Sequence, residues 1–146
     1  AYAKSAIAAG DALPTSGLVF LSTHDRDKPA LISVAQRLRQ LGFDLVATSG
    51  TANTLNNAGL NVKKVLKVHE GRPNIEDLIR SGQIQLVINT PIGRQAAHDD
   101  KYLRRAALDY SVPIVTTLAG ARAAVEGINS LQDQSLSIQA LQDIHS

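Results

Sequence analysis

The chain has 146 residues, enough for one domain with a sizeable core, and its 44% hydrophobic and 19% charged content is that of a globular protein rather than a disordered one. No apolar run approaches the ~20 residues that span a bilayer, and the absence of cysteine rules out disulfides and thiolate metal sites. A net charge of +2, scattered basic residues and 3% aromatics do not make the basic stripe or stacking surface of a nucleic-acid binder, and suit a small anionic ligand better.

Ala1 to Ala9 is an alanine-rich helical stub, followed by a loop through Gly10, Pro14 and Gly17. Such a stub has nothing to pack on in a lone domain, and the chain contains no methionine. Residues 1–16 therefore read as the tail of a preceding domain and a linker, and 17–146 as a second domain. "LVFLS" (Leu18 to Ser22) is a short apolar run of the buried-strand type. Asp27 caps the next helix, with Pro29 in its first turn. Leu31, Val34, Ala35, Leu38 and Leu41 recur at helical spacing, and Gly42 supplies the stop.

The alternation then repeats. Leu45 to Ala47 predicts a second strand, followed by a short helix that reaches Ala58 and Gly59. Val62 to Val68 predicts a third strand, interrupted by lysines. A helix starts near Asn74 and closes at Gly82, and "LVIN" (Leu86 to Asn89) is the most apolar strand. "AAHDDKYLRRAALDYS" is a helix, "IVT" (Ile114 to Thr116) a fifth strand, and Ala119 to Asn129 a last helix before an amphipathic segment from Leu136 to Ile144. Five short strands alternating with helices predict an α/β fold of three αβα layers around a parallel sheet.

In such sheets ligands bind at the carboxyl ends of the strands. There a polar turn, Thr48-Ser49-Gly50-Thr51, separates a strand from a helix. Free N–H groups and the helix dipole favour an anion at that turn, and Gly50 allows close backbone approach. The bland alternative makes Thr51 a helix cap and Gly50 a turn residue. Lys28 and Lys67 beside neighbouring strand ends shift the balance towards an anion. Asn89 and Thr90 end the most buried strand, where polar side chains are costly unless paired, and Arg94 is placed to fork onto a phosphate. His24, His69 and His98 each precede a carboxylate, but none has metal-ligand spacing, so no metal site is expected. No Gly-x-Ser-x-Gly elbow and no Walker-type loop is present.

Taken in order, these motifs resemble the C-terminal regulatory domain of the carbamoyl phosphate synthase large chain. "KVHEGRPNIEDLI" is the most specific segment, "LVINTPIGRQAAHDDKYLRRAALDYSVPIVTTLAG" extends it, and the opening "YAKS" resembles the end of that family's ATP-grasp region. The resemblance implies a five-stranded parallel sheet of the methylglyoxal synthase (Rossmann-like) fold at 17–146. It also implies an allosteric effector-binding function in arginine and pyrimidine biosynthesis, with UMP or IMP as effector and ornithine at the border with the rest of the large chain. Carried onto this chain, the nucleotide phosphate meets Lys28, Thr48, Gly50 and Thr51 with Ser22 close by. Lys67, Asn89 and Arg94 face the remainder of the nucleotide, and Thr116 matches a position near ornithine. The implied partners are the rest of the large chain and a glutaminase small chain, in the cytoplasm. The parent ligase uses ATP with Mg or Mn, whereas this domain holds no cofactor and no catalytic residue.

The chain departs from the bacterial pattern "INTTSG" with "INTPIG", placing Pro91 where a hydroxyl donor stands, and it has Ile114 where an aromatic is expected. The alternative is a methylglyoxal synthase-type lyase acting on dihydroxyacetone phosphate, since "STHDRDK" with Asp25 and Lys28, and His98-Asp99, resemble that enzyme too. Its two acidic motif positions correspond to Arg72 and Pro91, and neither can serve as a base at neutral pH.

Overall fold

The computed structural model describes residues 13–23, 27–90 and 97–145, with the side chains at 97–100 and 135–145 left aside. Five strands, β1 (Leu18–Ser22), β2 (Asp44–Ala47), β3 (Val62–Lys64), β4 (Leu86–Asn89) and β5 (Ile114–Val115), form one parallel sheet in the order β3-β2-β1-β4-β5. The connecting helices are α1 (Lys28–Gln40), α2 (Ser49–Asn57), α3 (Ile75–Arg80) and α4 (Ala97–Asp109), and α5 (Leu118–His145) follows the last strand. Parallel neighbours require crossovers, and right-handed crossovers place α1 and α2 on one face and α3 and α4 on the other once the strand order reverses.

The apolar side chains divide in the same way. Val19, Leu21, Leu45 and Ile88 pack with Leu31 and Leu38 of α1, Leu55 of α2 and Ile128 of α5. Phe20, Val46, Val87 and Ile114 point the other way, onto Ile75 and Ile79 of α3 and Leu103 and Ala106 of α4. Consecutive strand residues thus alternate between two buried faces, which is why β4 reads as an unbroken apolar run. Each fully buried Leu or Ile here contributes about 1.5–3 kcal/mol of transfer free energy.

Local chemistry sets the ends. Pro29 sits in the first turn of α1, and the helix stops where Gly42 takes a φ of 97°, a conformation that costs glycine little. Asp27 occupies the α1 cap position but makes no side-chain cap bond. Leu13 packs on the α1–α5 cluster, and Gln132 Nε2 donates to Thr15 O at 3.0 Å and to Leu41 O at 2.8 Å.

Two element boundaries depart furthest from the sequence expectation. The third strand ends at Lys64 rather than Val68: Leu66 makes one further bridge, to Asn74, and Val68–Glu70 closes into a 3-10 turn. That turn is fixed by the Lys67 N–H, which donates to Glu70 Oε1 at 2.7 Å. The last helix does not stop at Asn129 but runs unbroken from Leu118 to His145. The polar residues between Ser130 and Ser135 include neither Gly nor Pro, so nothing in them forces a break. The Ala1–Ala9 stub, His24, Asp25, Pro91 and Arg94 lie outside the described residues.

Candidate functional site

Strand β1 lies between β2 and β4, so the chain order reverses between β1 and β4 and opens a crevice at their carboxyl ends. Ser22 and Asn89 are register partners there, and the ladder continues one step as Thr90 N donates to Ser22 O at 3.0 Å. On the other side of β1, Thr48 follows β2 and its hydroxyl lies 3.5 Å from Ser22 Oγ. Thr23 N donates to Thr51 Oγ1 at 3.4 Å, which ties the first turn of α2 to the end of β1. Ser22, Thr23, Thr48, Thr51, Asn89 and Thr90 are all buried. Six polar side chains in one buried patch are costly unless something satisfies them.

Among the described residues, the two helix ends that meet at the patch carry no acid in their first turns. Helix α2 begins at Ser49 with Thr48 in the extended cap conformation, yet Thr48 makes no side-chain cap bond and the first turn holds no acidic residue. The first N–H groups of a helix have no partner inside it, and the helix dipole concentrates positive potential there. Lys28 adds a formal charge: its Nζ would lie 3.0 Å from a Cβ built on Gly50. The ammonium therefore sits over the opening turn of α2 while itself being the first residue of α1, another helix whose first turn has no acidic residue. A lysine at a helix N-terminus opposes that helix's dipole, and an anion between the two helix ends relieves the conflict.

The structure thus brings together Ser22, Lys28, Thr48, Gly50, Thr51 and Asn89 of the sequence-predicted residues. Thr51 is not the cap: Thr48 takes that position, and Thr51 faces the end of β1. Lys67 stands beyond β3 at the start of the 3-10 turn, and Thr116 follows β5 half-buried. No hydrogen bond among the described residues ties either to the Thr48–Thr51 turn. Among the described residues no three His, Asp or Glu side chains gather to hold a metal ion. Thr23 is the residue that sequence reasoning misses, because a threonine closing a strand looks like any other β-branched strand residue.

Residues 30–116 match the MGS-like domain family. The chain is 51% identical over 144 residues to the carbamoyl phosphate synthase large chain of Synechocystis sp., covering 98% of this chain and 13% of that one. It is 48% identical over 146 residues to the C-terminal section of the large chain from Methanopyrus kandleri, covering 99% of this chain and 27% of that protein. The chain therefore spans a minor part of the relatives it matches. Among solved structures, methylglyoxal synthase from Elizabethkingia anophelis shares the fold at a TM-score of 0.63, with 23% identity over 77% of this chain and 79% of that one. The chain belongs to the MGS-like domain family, and the relatives it matches along nearly its whole length are carbamoyl phosphate synthase large chains.

Proposed function

We propose that this chain is the allosteric effector-binding domain of a carbamoyl phosphate synthase large chain, and that it binds the phosphate of a nucleotide such as UMP or IMP at the opening turn of α2. The observation that carries the reading is the open α2 terminus: Thr48 makes no cap bond, and the Lys28 ammonium lies over Gly50. The names of the relatives support a carbamoyl phosphate synthase large chain as the parent. By the family resemblance that parent would be an ATP-dependent ligase using Mg or Mn, with a glutaminase small chain as partner. Lys67, Asn89 and Arg94 would contact the rest of the nucleotide, and Thr116 would face ornithine at the border with the remainder of the large chain. Regulation then follows if the nucleotide binds more tightly to one packing of this domain on its neighbour than to another.

Binding without turnover is the reading supported over the lyase. At one of the two positions where the lyase has an acid, this chain has Arg72, whose guanidinium is 2.8 Å from Asp77 and is held protonated by that carboxylate. A cation spoken for by a neighbouring acid has no capacity to abstract a proton from a substrate carbon. Calorimetric titration with UMP, IMP and inorganic phosphate at low salt tests the proposal. Saturable binding of one nucleotide, tighter than phosphate and weakened in Thr51→Ala, is expected. Methylglyoxal released from dihydroxyacetone phosphate would instead establish the lyase.

A further inference from the structure

Two hydroxyls at the carboxyl edge are left over by the site as described. Thr23 is 2% exposed and Thr90 is 4% exposed, and the Oγ1 atoms of both are sealed from solvent with no hydrogen-bond partner among the described residues. Valine has the same shape and leaves nothing unsatisfied, so two orphan hydroxyls at adjacent positions call for a partner that arrives from outside.

Their placement identifies where that partner enters. Ser22 pairs with Asn89, so Thr23 and Thr90 are the next residues along two adjacent strands, which lie about 4.8 Å apart in a sheet. Strand alternation sends both to the face of Leu21 and Ile88, the face covered by α1, α2 and α5. That is also the face of Thr51, whose hydroxyl oxygen accepts from Thr23 N and so keeps its own proton to donate.

We propose that Thr23 and Thr90 are specificity-determining donors of the anion site, satisfied only when a phosphate monoester enters the crevice between β1 and β4. The inference rests on the reading of the α2 turn as a phosphate cradle and extends it from the helix end to the floor of the sheet. A tetrahedral phosphate presents three terminal oxygens, so it accepts from the α2 N–H groups and Lys28 on one side and from the threonine hydroxyls on another. A carboxylate, with two oxygens in one plane, serves one of these sets but not both. Both hydroxyls are sealed in the free chain, so a ligand that reaches them also changes the packing at the switch point.

The test uses Thr23→Val and Thr90→Val, which keep shape and remove the hydroxyl. Thermal unfolding without ligand is combined with calorimetric titration of inorganic phosphate, then of UMP and IMP. Each variant should melt at or above the wild-type temperature, because an unsatisfied group has been removed, and should bind phosphate about tenfold more weakly. Unchanged phosphate affinity would overturn the proposal, and so would lower melting temperatures for both variants, which would mean that the hydroxyls have structural partners. A wild-type chain that binds no phosphate overturns the cradle and the proposal together. Weakened phosphate binding in the variants, with nucleotides no tighter than phosphate in the wild type, would sustain the inference and remove the nucleotide reading alone.

Discussion

At α3 the chain closes its own helix end. The Asn74 side chain accepts from Glu76 N at 3.0 Å and Asp77 N at 3.3 Å, while Asp77 Oδ2 accepts from Asn74 N at 2.8 Å. Glu76 and Asp77 place two negative charges in the first turn, and Arg72 pairs with Asp77 in turn. At α2, among the described residues, the same backbone groups meet no side-chain cap bond and no acid in the first turn, and a lysine lies close by. One terminus is capped by its own side chains, and the other, on the proposed reading, is completed by an anion. The contrast teaches that a helix end is left available for a ligand when the sequence withholds the internal cap, since Asn or Asp at position 48 would have capped α2 as Asn74 caps α3.

The comparison breaks if substitutions at the two termini behave alike. Lys28→Ala should weaken binding of phosphate or nucleotide by roughly tenfold or more, read by calorimetry, with little change in melting temperature. Asn74→Ala should do the reverse, costing about 2 kcal/mol in denaturant unfolding, since it removes the cap and strands the Gly71 carbonyl that accepts from Asn74 Nδ2 at 2.8 Å. Its phosphate affinity should match the wild type. Gly50→Ala sharpens the contrast further. It should raise helix stability by about 0.5–1 kcal/mol yet weaken the anion, because the new methyl group displaces the Lys28 ammonium.

The smallest effect concerns pH. The hydrogen bond from Arg72, and then the backbone N–H of Asn74, hold the Asp77 carboxyl below the usual aspartate range. A depressed folded value means that Asp77 adds stability above the ordinary aspartate range and that this is lost as pH falls through the folded value. Asp77→Asn should therefore flatten the acid limb of the stability profile, measured by denaturant unfolding between about pH 5 and pH 2.

Most of the fold is legible in the residues because its strands and helices carry different periods. Leu31, Val34, Ala35 and Leu38 mark the buried stripe of α1, and Leu86 to Asn89 marks a strand with both faces covered. The third strand was less legible because its boundary depends on Leu66 meeting Asn74 and on the Lys67–Glu70 turn, both set by contacts that no local pattern announces. The α2 turn is visible as a polar break after an apolar run. Thr23 is not, since only the geometry reveals that its hydroxyl is buried without a partner among the described residues. Lys67 was read from its place beside a strand end and Thr116 from resemblance, and strand ends that are separated along the sheet do not by themselves make one pocket.

The most direct measurement follows backbone amide resonances of the isotope-labelled chain during titration with inorganic phosphate, UMP and IMP. Saturable shifts at Ser49, Gly50 and Thr51, with Ile75, Glu76 and Asp77 unmoved, are expected if α2 is an anion site and α3 a closed one. Equal shifts at both helix ends, or none at Ser49 to Thr51, would contradict that distinction.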